Sequence, residues 1–591
     1  MLTKTKFHNL NDMIENSIKQ YGERPFFGTK VAGTYTWMTY GEFDIKMRKL
    51  RAILSHHGIG KGDGVAIIAN NSATFALAVY ASYGLGAIVV PMYEVQKIED
   101  WEYILKNSGA KLLFAGNDSI KSQIEGLHID SLKTIFVIRP NDPKDPASVD
   151  RMIEAETEML DSIEVSEDDI ADYIYTSGTT GLPKGAVITH QNVLQNVLKI
   201  QEVFPIGPTD RTLAFLPWAH EFGKTVELSI FPSVGSAIGL VESNRTIAQN
   251  LLEVNPTILV SVPKIFNKIY DIIHHKTAEH PVARVLFERT ENLARKARKD
   301  KLSMIDKIQQ KVLDRVVGAK VRGAFGNALR FCISGGAALS EEIANFFNDF
   351  GVTIYEGYGM TETSPIIAVN SPRAGRKIGS VGRPLPGVDV RIEVDPDEDN
   401  GKQGEVIVGG PCIMKEYLNL PEATAEVLTE AHELRTGDKG YLDEDGYLWL
   451  TGRVKEQYKL ENGKYVVPSA LESRITISTI IECCVVFGAN RPFNIAIIQP
   501  TAEFIQKFRA DNGLDNVSND ALENNDKLRD AIQEELKKMC EEFRGYEKPR
   551  KFFITLDEFT IQNGMLSPAL KIKRREVEKK YGERIKALYK D

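Results

Sequence analysis

The 591-residue chain is too long for one hydrophobic core, so several domains are expected. Its composition, 42% hydrophobic and 26% charged, excludes global disorder, and its net charge of −8 argues against a wholesale nucleic-acid binder. Five cysteines (Cys332, Cys412, Cys483, Cys484 and Cys540) form no C-x-x-C pair; this excludes a zinc knuckle or disulfide framework and fits a reducing compartment.

The first 25 residues are polar and helical in pattern, without the apolar stretch of a signal peptide. No run approaches the ~18 apolar residues of a membrane span. A cytoplasmic location is expected, with peripheral contact to a membrane surface left open. From residue 34 the pattern reads helix, turn, strand, helix, strand. VAIIA (65–69), AIVVPM (87–92), AKLLFAG (110–116) and KTIFVIR (133–139) are short buried strands between helical segments, which implies parallel βαβ layers. Residues 171–190 read as a strand, a glycine-hydroxyl loop and a second strand. Residues 271–322 are charged and helical, with twelve Lys/Arg against five Asp/Glu between Arg284 and Arg322; this reads as a solvated helix face or as an electrostatic contact for anionic lipid or for the phosphate of a ligand. Residues 377–450 read as all-β, and the remainder as a small α+β unit around ECCVVFGA, NIAIIQP and KFFITL. The expected fold class is α/β: a large N-terminal domain (1–453) of layered βαβ subdomains plus a β-rich subdomain, and a small mobile α+β C-terminal domain (454–591).

The strongest local signal is Tyr175-Thr-Ser-Gly-Thr-Thr-Gly-Leu-Pro-Lys-Gly185. Glycines let backbone N–H groups turn towards an anion, hydroxyls add donors, and a lysine adds a compact charge suited to phosphate oxygens. The spacing GxxGxxKG followed by a strand is not that of the P-loop, which opens a helix. Further strings are Ser334-Gly-Gly-Ala-Ala338 after the strand LRFCIS, Tyr355-Glu-Gly-Tyr-Gly-Met-Thr-Glu-Thr363, Thr436-Gly-Asp438, Gly452-Arg453-Val-Lys455 and Leu566-Ser-Pro-Ala-Leu-Lys-Ile-Lys-Arg574.

Together, and in this order over Tyr175 to Lys571, these strings resemble the adenylate-forming superfamily of acyl-CoA synthetases, luciferases and peptide-synthetase adenylation domains. The segment SVPKIFNKIYDII (261–273) resembles long-chain fatty acyl-CoA synthetases in particular. The resemblance implies a nucleotide site built from Thr176, Ser177, Gly178, Thr179, Thr180, Gly181 and Lys184, from Gly335, Gly336 and Ala337, and from Glu356, Gly357, Tyr358, Gly359 and Thr361. Asp438 would accept the ribose hydroxyls, with Arg453 near the ribose. Glu362 would hold Mg²⁺, and Lys455 would be the interdomain pivot. Lys571 is the expected catalytic lysine, with Lys573 its competitor; the family's more usual serine-glycine-lysine stands here as Ala569-Leu570-Lys571. Lys184, Thr361 and His220 complete the catalytic set. Leu216-Pro-Trp-Ala-His220 resembles the segment near the acyl pocket, with Trp218 walling or gating it or simply packing, and the apolar residues around 213–240 (LAFLP, LSIFPSVGSAIGLV) read either as the lining of a tunnel for an alkyl chain or as plain core.

The implied activity is ATP-dependent ligation of a carboxylic acid, a long-chain fatty acid above others, to coenzyme A through an acyl-adenylate. Alternatives are an acyl-AMP ligase serving a carrier protein, a luciferase-like oxygenase, and a non-catalytic adenylate-binding relative. Fatty acid, ATP and CoA are the expected small-molecule partners, no nucleic acid is expected, and oligomeric state is not legible.

Overall fold

The computed structural model describes residues 7–176, 182–278, 280–394, 402–454 and 456–590. The chain divides into two compact units. One comprises residues 1–390, 407–435 and 446–448; the other comprises 391–406, 436–445 and 449–591.

In the first unit the four apolar runs predicted as strands become Gly64–Ile68, Ile88–Met92, Leu112–Asn117 and Thr134–Arg139. Gly64–Ile68 pairs in parallel with both Ile88–Met92 and Leu112–Asn117, and Thr134–Arg139 lies parallel beyond the latter. The strand Ile170–Thr176 joins the other edge of this sheet and turns back antiparallel into Lys184–Thr189. Glu416–Tyr417 then caps that edge. One face is filled by Ala66, Ile68, Val90, Met92, Leu113 and Ala115, against Trp101, Ile104 and Leu105 of the helix Ile98–Ser108. These central strands are buried on both faces, which is why they read as continuous apolar runs rather than alternating ones.

A second sheet runs Ile258–Ser261, Phe331–Ser334, Ile354–Gly359, Ile366–Val369 and Arg383–Pro384. Its first three strands are parallel and the last two antiparallel. A third sheet contains a hairpin that the sequence reading missed, Pro25–Val31 with Thr34–Thr39. The helix expected from residue 34 starts only at Tyr40, where Thr39 and Glu42 form a capping box. The β-branched and aromatic run TYTWMT fits a strand, and Ala32-Gly33, both at positive φ, makes the turn.

In the second unit, Ile481–Phe487, Asn494–Pro500 and Pro549–Ile554 form a three-stranded sheet. Its two faces show the period of two expected of strands. Cys484, Val486, Ala496 and Ile498 pack towards Leu528, Ile532 and Leu536 of the helix Asp526–Met539. Cys483, Val485, Ile495 and Ile497 pack towards Val577, Tyr581 and Ile585 of the helix Arg574–Ala587. All five cysteines are buried, and none of them is in a disulfide. Among the described residues, no helix is long and apolar enough to cross a membrane.

Candidate functional site

The two ends of the phosphate-loop string pair as antiparallel strands. Thr176 stands opposite Lys184 and Tyr175 opposite Gly185, so the strands deliver hydroxyl and ammonium side by side at the loop's base. Ser177, Gly178, Thr179, Thr180 and Gly181 lie outside the described residues. A β-carbon at Gly185 would come within 2.9 Å of the Tyr175 ring, whose hydroxyl donates to Asn107 Oδ1 at 2.7 Å. Glycine there lets the ring cross the hairpin.

Lys184 Nζ sits 5.1 Å from the centroid of the Tyr417 ring, a cation–π contact of about 0.5–1 kcal/mol. The Tyr417 hydroxyl donates to Glu362 Oε1 at 2.6 Å. Burial, reinforced by the Glu362 carboxylate, pushes the Tyr417 phenol well above its ordinary range, so it stays a donor. The edge strand carrying Tyr417 thus links the loop lysine to the expected metal carboxylate.

Glu362 lies in the tight turn Thr361–Thr363 after the strand Ile354–Gly359. Gly359 is required there, because a β-carbon would come within 1.7 Å of the Pro365 carbonyl oxygen. Asn196, buried on the helix His190–Val203, pins the turn from below. Its Nδ2 donates to the Thr363 carbonyl at 3.2 Å, and its Oδ1 accepts from the Ile366 amide at 2.9 Å. The parallel register sets Ser334 beside Glu356, so Gly335, Gly336 and Ala337 leave the sheet next to Gly357, Tyr358 and Gly359. Both strings stand at the carboxyl ends of parallel strands, where open α/β sheets bind ligands. Glu356 is buried, and burial raises its carboxyl to about 7, with hydrogen bonds from backbone amides and the nearby Arg376 opposing.

A cleft of about 670 Å³ opens at this point. Ser334–Gly336, Gly357–Met360 and His220 line it together with Ile200, Phe204, Val226, Ile230 and Phe231. Ile200 and Phe204, four residues apart, come from the end of the helix His190–Val203 and the residue after it. Val226 and Ile230 come from a π-helical turn, a form concentrated at functional sites. His220 caps the short helix Glu221–Thr225, its Nδ1 accepting from the Phe222 amide at 3.2 Å. Lys224, four residues on, reaches Asp172 at 2.6 Å and the Tyr83 hydroxyl at 2.7 Å, all three buried. This ties the His220 segment to the strand that feeds the phosphate loop. Burial raises the Asp172 carboxyl, and Lys224 opposes the shift.

Trp218 is not at the cleft. It is fully buried, packed near Phe27 and Phe75, and its indole Nε1 donates to Glu227 Oε2 at 2.6 Å. Of the apolar residues 213–240 suggested as a tunnel lining, Val226, Ile230 and Phe231 face the cleft, whereas Leu213, Ala214, Leu228, Ile238 and Leu240 are core.

In the second unit, Arg453 Nε lies 3.0 Å from Asp438 Oδ1, which brings the TGD and GR strings together. Thr436 Oγ1 accepts from the Asp438 amide at 3.0 Å and donates to the Val406 carbonyl at 2.8 Å. Gly437, at φ +69°, supplies the bend. Lys455 lies outside the described residues. Lys571 sits on an exposed tight turn: its amide donates to Ser567 Oγ at 3.1 Å, and its carbonyl accepts from the Ser567 amide at 2.8 Å. Leu570 holds φ +58°, the left-handed region where glycine is at ease. Lys573 begins the following helix as its cap.

Tyr417, Asn196 and the walls Ile200 and Phe204 escaped the sequence reading. The i, i+4 spacing of Ile200 and Phe204 was a usable signal; Tyr417 had none.

The sequence matches the family model for AMP-binding enzymes over residues 14–418 and that for the AMP-binding enzyme C-terminal domain over 455–591. It is 31% identical to the long-chain-fatty-acid–CoA ligase FadD15 of Mycobacterium bovis, over 95% of this chain and 93% of that protein. It is 29% identical to the peroxisomal long chain acyl-CoA synthetase 6 of Arabidopsis thaliana, over 98% and 86%. Among solved structures it resembles the anthranilate CoA ligase AuaEII bound to anthranoyl-AMP (TM-score 0.73, 22% identity, 97% of each chain). It also resembles the adenylation domain of a carboxylate reductase from Mycobacterium chelonae (TM-score 0.78, 23% identity, 99% of this chain and 91% of that one).

Proposed function

Because the chain belongs to the AMP-binding enzyme family, we propose that it is an ATP-dependent ligase joining long-chain fatty acids to coenzyme A. The observation that carries this reading is the cleft: glycine-rich strings that suit a flat purine line part of it, and aliphatic and phenylalanine side chains line the rest. Apolar walls suit an alkyl chain, at about 0.8 kcal/mol per buried CH₂. The activities named for the two curated relatives support the same substrate class.

In the first half-reaction a carboxylate oxygen bonds to the α-phosphorus of ATP and the bond to pyrophosphate breaks. The difficulty is that two anions must meet. Lys184 and the loop hydroxyls would screen the β- and γ-phosphates, Thr361 would contact the α-phosphate, and His220 would stand by the carboxylate. Lys571 would bridge the carboxylate and α-phosphate, stabilising charge that shifts in the transition state. Asp438, paired with Arg453, would accept the ribose hydroxyls. In the second half-reaction the CoA sulfur bonds to the acyl carbon and AMP leaves. We assign residues 454–591 to a C-terminal domain that turns about Lys455 between the two steps, removing Lys571 once adenylation is done.

A magnesium ion fits beside Glu362. That carboxylate is buried and oriented by Tyr417, and Thr361 adjoins it in the same turn. No group of three or more His, Cys, Asp or Glu side chains is arranged for a metal among the described residues, which suits a hard cation that takes most of its ligands from phosphate and water. When bound, the ion would neutralise phosphate charge.

The test is ATP–pyrophosphate exchange with palmitate, for wild type and Lys571→Ala, followed by product analysis after CoA is added. Exchange by wild type alone, with palmitoyl-CoA as product, is expected. No exchange by wild type across a panel of acids would refute the reading.

A further inference from the structure

The helices Pro281–Arg298 and Met304–Leu313 pack against each other. Arg289 Nη2 donates to Gln309 Oε1 at 2.8 Å, and Lys296 lies 3.6 Å from Asp306. Position 289 therefore faces 309 and 296 faces 306, so the pair is antiparallel. Both helices bury one side: Phe287, Thr290, Leu293 and Ala294 on the first, and Asp306 and Leu313 on the second, with Val317 in the π-helical turn that continues it.

The opposite side of this pair is unlike an ordinary helix surface. Met304 is 78% exposed, Ile305 69%, Ile308 65%, Val312 56% and Val316 47%. From Ile305 the spacing is i, i+3, i+7, i+11, which is one continuous stripe. Val282 and Val285 on the neighbouring helix are also exposed, and the antiparallel pairing sets them level with Val316 and Val312. Scattered exposed apolar residues need no explanation, but a four-residue stripe with Met304 beside it and two exposed valines level with it on the neighbouring helix does. Beside the stripe runs a column of cations at four-residue spacing, Lys307, Lys311 and Arg315, all exposed and in no ion pair among the described residues. The whole segment 284–322 carries twelve Lys/Arg against five Asp/Glu in a chain of net charge −8.

We propose that this face docks the protein on an anionic phospholipid bilayer. The helix Met304–Leu313 and its continuation lie in the plane of the interface. The aliphatic stripe enters the boundary between headgroups and acyl chains, and Lys307, Lys311 and Arg315 extend to lipid phosphates. Charge complementarity selects this occupant: each basic residue near an anionic surface strengthens binding about fivefold. The stripe also has none of the aromatic anchors that concentrate binding energy in protein interfaces. The inference is independent of the ligase reading, because its readout is binding.

The full-length protein is sedimented with vesicles of phosphatidylcholine alone and with vesicles of equal parts phosphatidylcholine and phosphatidylglycerol. Wild type is expected on the anionic vesicles and to leave them as salt is raised. Ile308→Asp/Val312→Asp should lower partitioning about tenfold or more. Lys307→Glu/Lys311→Glu should abolish the preference for anionic vesicles. All four positions are exposed, so the thermal midpoint should not move, and it is measured for each variant. Absence of wild type from the anionic pellet overturns the proposal, as does undiminished binding by both variants. A wild-type dimer that Ile308→Asp/Val312→Asp makes monomeric, without vesicle binding, also overturns it and assigns the face to a second copy of the chain.

Discussion

Tyr417→Phe separates two jobs done by one side chain. The variant keeps the ring beneath Lys184 and removes only the hydroxyl that donates to Glu362 Oε1 at 2.6 Å. Glu362 is 7% exposed, so water restores little of the lost bond. A hydrogen bond to a charged group in such a setting contributes about 1.5–3 kcal/mol. Loss of a partner that orients a metal-binding side chain typically weakens metal affinity about 10- to 100-fold. The expected result in ATP–pyrophosphate exchange at saturating ATP is therefore a magnesium requirement shifted upward by about tenfold or more, with exchange recovering when magnesium is raised. Tyr417→Ala should do worse, because it also takes the ring from Lys184, at a further cost of about 0.5–1 kcal/mol. Thermal unfolding is followed in parallel. If Tyr417→Phe left the magnesium dependence unchanged while lowering stability, Tyr417 would merely close the sheet edge, and the proposed coupling of lysine, tyrosine and carboxylate would be wrong.

Leu570 holds a left-handed conformation that costs a non-glycine residue about 1–2 kcal/mol. Leu570→Gly should leave unfolding of the C-terminal unit unchanged or raise its stability by up to about 1 kcal/mol, while Leu570→Val should lower it; both are read by thermal melts. Burial raises the Glu356 carboxyl from 4.5 to about 7, so the folded state holds this proton more tightly than the unfolded one. That contribution is fully present below pH 4.5 and is lost as pH rises through about 7, amounting to about 3 kcal/mol. Glu356→Gln should flatten this part of the stability–pH profile; a profile unchanged from wild type would show that another group sets it, such as Glu221, which burial also raises to about 7. Ile230→Trp should fill the cleft and favour shorter acids. Each excluded methylene forfeits about 0.8 kcal/mol, or roughly fourfold in kcat/KM, and competition between palmitate and octanoate would report it.

Legibility tracked how narrowly the chemistry constrains the residue. Strings such as SGTTGLPKG and EGYGMTE combine glycines, hydroxyls and charges in ways that packing alone does not require; the described parts of both lie at strand ends, and Gly357–Met360 line the cleft. Asp438 and Arg453, fifteen positions apart in the chain, meet in an ion pair that TGD and GR alone did not announce. The buried parallel strands were legible because both of their faces are apolar. The hairpin Pro25–Thr39 was not, because its half-exposed second strand runs directly into a helix without a break in the pattern.

The cleft walls were illegible for a different reason. Ile230 lines the cleft while Leu228, two positions away, is core, and nothing in their chemistry tells them apart. The same aliphatic side chain satisfies either environment, and only the π-helical turn at Val226–Ile230 decides which residues face the open space. Trp218 makes the converse point. Its size and its place two residues before His220 suggested a gate, but a buried indole needs a partner for its N–H, and Glu227 provides one inside the core. Under the proposed function, substrate selectivity would rest on backbone geometry that swaps between apolar residue types scarcely register, whereas the phosphate chemistry would rest on residue types that packing alone does not require.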